Sequence, residues 1–260
     1  MHQEVNIWRP EPDLERSCKH RKRNKMRILL TFILSFMTGC VSSFKVTGYS
    51  GGTVIIHCHF DYYRGEREIE IFFCKGRNLL SCVDKIRTSQ NTWQNRGRFS
   101  MHDDTGENFF KVVIRQLTRQ DEGIYWCGMD TLKSNKNNNK VELEVKEDKC
   151  CKISVTETVR LGGEAAILCN YPKKYESSNK YFCKEDSTPD CKYMMSAKSS
   201  LQEGRFSLSK KRAEKSFTVT ISDLAEYDTG TYWCGVDTRR SNYGYITLIT
   251  QVNLRVLNIA

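Results

Sequence analysis

One segment of this chain is written twice. Asp121-Glu122-Gly123-Ile124-Tyr125-Trp126-Cys127-Gly128-Met129-Asp130 returns 107 residues later as Asp228-Thr229-Gly230-Thr231-Tyr232-Trp233-Cys234-Gly235-Val236-Asp237. The surroundings repeat with it. Cys58 maps onto Cys169, Cys74 onto Cys183, Cys82 onto Cys191 and Cys127 onto Cys234, at offsets of 111, 109, 109 and 107 residues. Gly51-Gly52 matches Gly162-Gly163, and Arg98-Phe99-Ser100 matches Arg205-Phe206-Ser207. A duplication of this period divides the 260 residues into two similar units, 44–147 and 148–257, each long enough to bury one core.

The repeated motif names the fold. Asp-x-Gly-x-Tyr-x-Cys marks the start of strand F in an immunoglobulin domain, where the tyrosine two residues before the cysteine ties down the turn by its hydroxyl. Thr53–Cys58 reads as strand B, with Val54, Ile56 and Cys58 inward and His57 outward by alternation. Glu70–Lys75 and Lys180–Lys184 read as strand C, and Phe109–Ile114 and Ser216–Ile221 as strand E. Phe73 and Phe182 take the position where a tryptophan packs on the B–F disulfide. Arg98 with Asp121, and Arg205 with Asp228, are spaced for a salt bridge at the base of each domain. The stretches 82–98 and 191–205 leave room for a C″ strand, which favours the variable type. The expected fold is therefore all-β, two tandem variable-type immunoglobulin sandwiches, each with B–F and C–C′ disulfides.

That fold assigns the cysteines. Cys58–Cys127 and Cys169–Cys234 are the expected B–F bonds, each worth on the order of 4 kcal/mol in the chain-entropy model. Cys74–Cys82 and Cys183–Cys191 tie strand C to C′. Zinc is disfavoured, since no Cys-x-x-Cys or matching histidine pair occurs. Cys150-Cys151 is left over at the domain junction. It is open to a vicinal bond, another partner, or a covalent dimer through Cys150 or Cys151.

Residues 1–43 read as a leader. A basic region precedes the short apolar run Ile28–Met37 and then small residues through Ser43, the pattern of a signal peptide, with Met26 as an alternative start. The run is too short to span a bilayer, which takes about 20 residues. The chain is thus expected outside the cell, either secreted or as the ectodomain of a longer membrane receptor. Residues 1–27 hold eight Lys/Arg and four Asp/Glu, so of the formal +10 about +6 belongs to the domains. This mild basicity suits acidic partners such as anionic lipid headgroups, and a solvated surface is the plainer reading. No Asn-x-Ser/Thr sequon occurs.

Binding residues are expected on loops at one end of each sandwich. In the first domain these are 60–67, 88–95 and 131–140; in the second, 173–179, 194–200 and 239–245. Tyr62, Tyr63, Arg64 and Arg67 make an interface-like mix, and Trp93 is a candidate anchor. The plain alternatives are a solvated turn and a rim-packed aromatic. No metal site is expected. Asp130, at the root of the FG loop, is the one weak candidate, with a loop-stabilising hydrogen bond as its simpler role. His57 and His59 share an outer face and read as solvated. Catalysis is not expected: there is no Gly-x-Ser-x-Gly, His-Glu-x-x-His or phosphate loop. The pairs Asp103-Asp104 and Asp121-Glu122 read as ordinary turn residues. No cofactor and no nucleic-acid partner are expected.

Tyr-Trp-Cys-Gly-x-Asp on strand F, with the second cysteine pair on C and C′, resembles the polymeric immunoglobulin receptor and CMRF-like leukocyte receptor family. Tyr181-Phe182-Cys183-Lys184 is similar to that family's Lys-Tyr-Trp-Cys, with Phe for Trp. The resemblance covers 44–257 and is similar to two-domain members of bony fish. It implies a cell-surface immune receptor that binds polymeric immunoglobulin or anionic phospholipid, with a signalling adaptor where the chain is membrane-anchored. A soluble decoy, or a fragment of an immunoglobulin transport receptor, is the alternative. Of the basic character expected in the first domain's BC loop, Arg64 and Arg67 are the match.

Overall fold

The computed structural model describes residues 43–60, 70–104, 109–130, 138–147, 149, 153–196, 201–239 and 244–258. The leader, the loop residues 61–69, 105–108, 131–137, 197–200 and 240–243, and Cys150-Cys151 lie outside them. The first domain comprises β1 (Ser43–Tyr49), β2 (Thr53–His59), β3 (Glu70–Lys75), β4 (Val83–Thr88), β5 (Gln94–Arg96), β6 (Phe99–Asp104), β7 (Phe109–Ile114), β8 (Gly123–Asp130) and β9 (Asn138–Lys146). The second repeats the order as β10 (Ser154–Arg160), β11 (Ala165–Asn170), β12 (Asn179–Lys184), β13 (Lys192–Ser196), β14 (Gln202–Glu203), β15 (Phe206–Lys211), β16 (Ser216–Ile221), β17 (Gly230–Asp237) and β18 (Gly244–Leu257). One sheet of the first domain runs β1-β9-β8-β3-β4, with β1 parallel to β9. Its opposite sheet contains β2, β7, β6 and β5. The second domain repeats this with β13-β12-β17-β18 facing β11-β16-β15-β14, and β10 parallel to β18. In each domain the short strand after C′, β5 or β14, pairs with the following strand, β6 or β15, on the sheet opposite C′.

Alternation builds both cores. Val54, Ile56 and Cys58 of β2 meet Val112 and Ile114 of β7 and Tyr125 and Cys127 of β8 in one cluster. Cys58–Cys127 and Cys169–Cys234 cross the sandwiches at Cα separations of 5.9 and 5.6 Å. Phe73 and Phe182 are wholly buried and stack on Tyr125 and Tyr232 at 5.0 and 5.3 Å between centroids. They fill the tryptophan's usual place. The tryptophans themselves lie on the other face of strand F. Trp126 packs with Phe72 and Cys74 of the Cys74–Cys82 bond and donates its indole N–H to the Gly76 carbonyl at 3.0 Å. Trp233 packs with Cys183 and Cys191, also joined, and donates to Glu185 at 2.6 Å. Each domain thus carries an aromatic against a disulfide on both faces of one sheet.

The turn entering strand F is fixed the same way twice. Asp121 accepts two hydrogen bonds from Arg98 at 2.7 and 2.8 Å and one from the Thr118 amide at 2.8 Å; the Tyr125 hydroxyl donates to the Asp121 carbonyl at 2.7 Å. Asp228 repeats the arrangement with Arg205, the Ala225 amide and the Tyr232 hydroxyl, at 2.8 to 2.9 Å. Burial alone would raise these carboxyls. The arginine and amide hydrogen bonds outweigh it and hold both below the usual carboxylate range.

The two domains share a sheet. Gly244–Leu248 at the start of β18 pairs antiparallel with Thr53–His57 of β2, so the second domain's sheet continues into the first domain's β2-β7-β6-β5. Gly52 allows the approach: a Cβ there would lie 2.4 Å from the Leu248 carbonyl oxygen. A comparison of the duplicated strands shows the effect. In β11 the outward side chains are exposed, Leu168 among them, whereas β2 is buried on both faces. Ile55 and Val113 of the first domain join Tyr181, Trp233, Ile246 and Leu248 of the second in one cluster. Each domain also lends a tyrosine to the other's core: Tyr245 to the first, Tyr49 to the second.

Two sequence expectations change here. His57 does point away from its own core, but it is buried, not solvated. It stacks on Phe109 at 4.5 Å and meets Arg239 Nη1 at 3.3 Å through Nε2. Burial, then Arg239 and Lys111, lower its pKa to about 3, against a weaker opposing pull from Asp237. Tyr175 of the loop 173–179, and Tyr245 at the end of the loop 239–245, also turn inward. The Tyr175 hydroxyl donates to the Thr47 carbonyl at 3.3 Å and meets the Tyr245 hydroxyl at 3.3 Å, both buried in the junction. Lys111 and Asp190 close it with an ion pair at 3.3 Å. Two tyrosines of a loop end read as a ligand surface from one domain's sequence thus help to join the two domains.

Two outcomes are expected. Asp228→Asn leaves the Arg205 guanidinium without its carboxylate and should lower stability by about 2–3 kcal/mol, measured by urea titration of tryptophan fluorescence. Because the folded-state pKa of His57 lies below its free value of 6.5, unfolded chains take up a proton that the fold refuses as pH falls below that value. Stability should therefore fall between about pH 6.5 and about pH 4.5, by up to ~1.4 kcal/mol per pH unit, before the buried aspartates protonate. His57→Phe should flatten that part of the melting-temperature profile.

Candidate ligand-binding surface

The loop end of the first domain is built from five strand ends. His59, Glu70, Thr88, Asp130 and Asn138 stand where β2, β3, β4, β8 and β9 meet the loops expected to bind. Tyr62, Tyr63, Arg64 and Arg67 lie outside the described residues. The loop roots are firm. Phe60 is buried and stacks on Phe110 at 5.1 Å, which anchors the first loop to the core. The Asn139 amide donates to the His59 carbonyl and ties the root of the third loop to the first.

Arg87 holds this end together. Its Nη1 donates to Glu70 at 2.9 Å on β3 and to Asp130 on β8, and its Nε donates to Asp84 at 2.8 Å on β4. The guanidinium lies 4.7 Å from the centre of the Phe72 ring. Burial would lower its pKa, but the hydrogen bonds it donates to Asp84, Asp130 and Glu70 win, and it is held above its ordinary value. One guanidinium facing three carboxylates leaves this rim net negative. Asp130 is thus engaged as the partner of Arg87, whose charge stands where a cation bound to that carboxylate would stand. Among the described residues no group of three or more His, Cys, Asp or Glu side chains is arranged to hold a metal. Asp237, its counterpart in the second domain, is gripped by Arg239 at 2.7 and 2.8 Å.

Trp93 is half-buried. Its ring lies 5.0 Å from that of His102, and it packs on the cluster shared by the two domains. It therefore covers the junction rather than extending from the loop end. Sequence reasoning missed both organising cations, Arg87 and Lys180. Lys180 is buried and donates to the carbonyls of Tyr175, Glu176 and Ser178 at 2.7, 3.2 and 2.7 Å, with its ammonium 4.0 Å from the centre of the Tyr171 ring. Burial, then Lys210 and Arg212, lower its pKa to about 8, with Glu176 opposing. A signal was present: Lys180 is two residues from inward Phe182, so alternation puts a charge inside. Arg87 left no comparable mark, because its three partners come from separate strands.

Two sandwiches, each with a B–F disulfide, a tyrosine corner and a C′ strand beside strand C, define a variable-type immunoglobulin protein. The chain belongs to the immunoglobulin V-set domain family, whose model matches residues 41–146 and 154–257. It is 30% identical to the polymeric immunoglobulin receptor of Oryctolagus cuniculus over 198 residues, which is 72% of this chain and 23% of that receptor. It is 33% identical to the CMRF35-like molecule 9 of Mus musculus over 90 residues, 34% of this chain and 27% of that protein. The crystal structure of a teleost fish polymeric immunoglobulin receptor ectodomain aligns at 20% identity and a TM-score of 0.36, covering 85% of this chain and 97% of that one. The chain spans about a quarter of the length of the receptors it matches.

Replacing Arg87 by Met should release three mutually repelling carboxylates. Backbone amides of residues 84–88 and 128–130 should exchange faster in hydrogen–deuterium exchange, and stability should fall by about 1–2 kcal/mol, a modest figure because the network is part-exposed.

Proposed function

We propose that this chain is the ligand-binding ectodomain of an immune receptor, non-catalytic, and that it takes a protein ligand, polymeric immunoglobulin, at the loop end of the first domain. One observation carries this reading. At the second domain's equivalent end, Tyr175, Tyr245 and the start of β18 are engaged by the junction, which supports the first domain's loop end as the site for a protein ligand. The match to polymeric immunoglobulin receptors runs over both domains, while that to the CMRF35-like molecules spans one. The rim around Arg87 is net negative, which disfavours an anionic bilayer at that surface and leaves Arg64 and Arg67 as the cationic contacts to a protein. Phospholipid is the second reading, supported by the CMRF-like similarity. The four disulfides suit an oxidising compartment, which supports an extracellular setting for the domains. Whether an anchor and a signalling adaptor complete the receptor belongs to this proposal and not to the described residues. Among them no helix is long and apolar enough to cross a membrane.

The test is surface plasmon resonance of the full chain, made in an oxidising host, on immobilised polymeric and monomeric immunoglobulin, beside flotation with phosphatidylserine and phosphatidylcholine vesicles. Preferential binding of the polymer, weakened about tenfold or more by Arg64→Glu with Arg67→Glu, is the expected result. Selective flotation with phosphatidylserine and no immunoglobulin binding would replace it with the lipid reading. Binding unaffected by the loop variant would move the site.

A further inference from the structure

The second domain carries a groove that neither the framework nor the junction explains. It has a volume of about 1100 Å³ and lies between the short turn Lys173–Tyr175 and the turn from β15 to β16. Lys173, Lys174, Lys210 and Arg212 line it with exposed side chains, and buried Lys180 forms its floor. Against these five cations stands Glu176; the further pair Asp237 and Arg239 neutralises itself. Among the described residues, Lys173, Lys210 and Arg212 form no ion pair. Lys180 spends its donors on three carbonyls of the loop it organises and so fixes the groove's shape, while its charge adds to the field.

The duplication supplies an internal control. Arg98 aligns with Arg205, so Lys210 and Lys211 occupy the positions of Asp103 and Asp104. The same strand ends basic in one copy and acidic in the other, and the two frames fold alike. The fold therefore does not require cations here. The like charges of Lys173, Lys210 and Arg212, gathered without ion-pair partners among the described residues, cost stability, and an anionic ligand would relieve that repulsion. The tyrosines of the groove, Tyr171 and Tyr175, are buried, and none of the large exposed apolar side chains lines it. It has no wedge to enter a bilayer. An open, cationic groove of this volume without exposed apolar side chains suits a hydrated polyanion.

We propose that this groove is a second binding site, separate from the first domain's loop end, and that it binds a sulfated linear polysaccharide. Sulfate groups along such a chain would contact Lys173, Lys210 and Arg212 in sequence, with Lys174 at the end nearer the junction. The site would hold the receptor at a glycan-coated surface whatever occupies the first domain. It does not depend on the immunoglobulin reading.

The experiment uses the full chain and heparin octasaccharide as probe, with calorimetry in physiological salt. An unsulfated hyaluronan oligosaccharide and phosphatidylserine vesicles form the other arms. Lys210→Glu with Arg212→Glu is compared with Arg77→Glu with Arg96→Glu, exposed residues of the first domain that give the same change in net charge. The expected result is heparin binding that weakens about tenfold or more in the first variant and stays within about twofold in the second, with no hyaluronan binding. Equal losses in both variants would mean diffuse charge attraction and overturn the site. Absence of heparin binding to the unaltered chain would also overturn it. Loss of vesicle flotation in the groove variant, with heparin binding unchanged, would assign the groove to a membrane and reject the polysaccharide. Immunoglobulin binding by the same variants is read separately: its failure in the unaltered chain counts against the first-domain site alone.

Discussion

The pairing of Gly244–Leu248 with Thr53–His57 governs how this molecule is built. With β1 placed on the opposite sheet, β2 would be an edge strand with unpaired N–H and C=O groups. The start of β18 satisfies that edge and joins two sandwiches through backbone hydrogen bonds, which are insensitive to side-chain identity. The remaining features of the junction follow. Ile55 and His57 lose their solvent, Tyr245 and Tyr49 cross into each other's domains, and Gly52 must be without a side chain because the Leu248 carbonyl occupies that space.

This pairing also divides labour between two copies of one design. Tyr175 and the start of β18 are committed to the junction, and Lys180 and Arg239 are the cations that shape the chain beside them. In the first domain the corresponding end is braced by Arg87, which gathers carboxylates from three strands without contacting the other domain. Both ends use one arginine to neutralise the aspartate that closes strand F. The arginine comes from C′ in one and from the FG loop in the other, so the solution is shared while the geometry is not.

Charge shows the same divergence. Both copies keep the Arg–Asp bridge and the tyrosine corner, because a buried carboxylate with a missing donor would be costly in either. Away from these points the surface is free to change sign, and Asp103-Asp104 against Lys210-Lys211 shows that it has. Framework residues are constrained by burial and hydrogen bonding. Surface residues are constrained by whatever the surface meets.

The sequence by itself determined the domain count, the sandwich fold, the four disulfides, both Arg–Asp bridges and the inward phenylalanines. All of these rest on local alternation or on a duplicated spacing, and a linear reading registers both. Tertiary structure alone decided the fate of His57 and Trp93, the inward placement of Tyr175 and Tyr245, and the roles of Arg87 and Trp126. His57 alternates outward in β2 as a solvated residue would, and only the arrival of β18 buries it. Arg87 meets partners 3, 17 and 43 residues away in sequence, a set that no periodicity records. Burial by a second domain and convergence of distant strands are properties of the assembled chain, because they depend on which surfaces meet and not on which residues are neighbours.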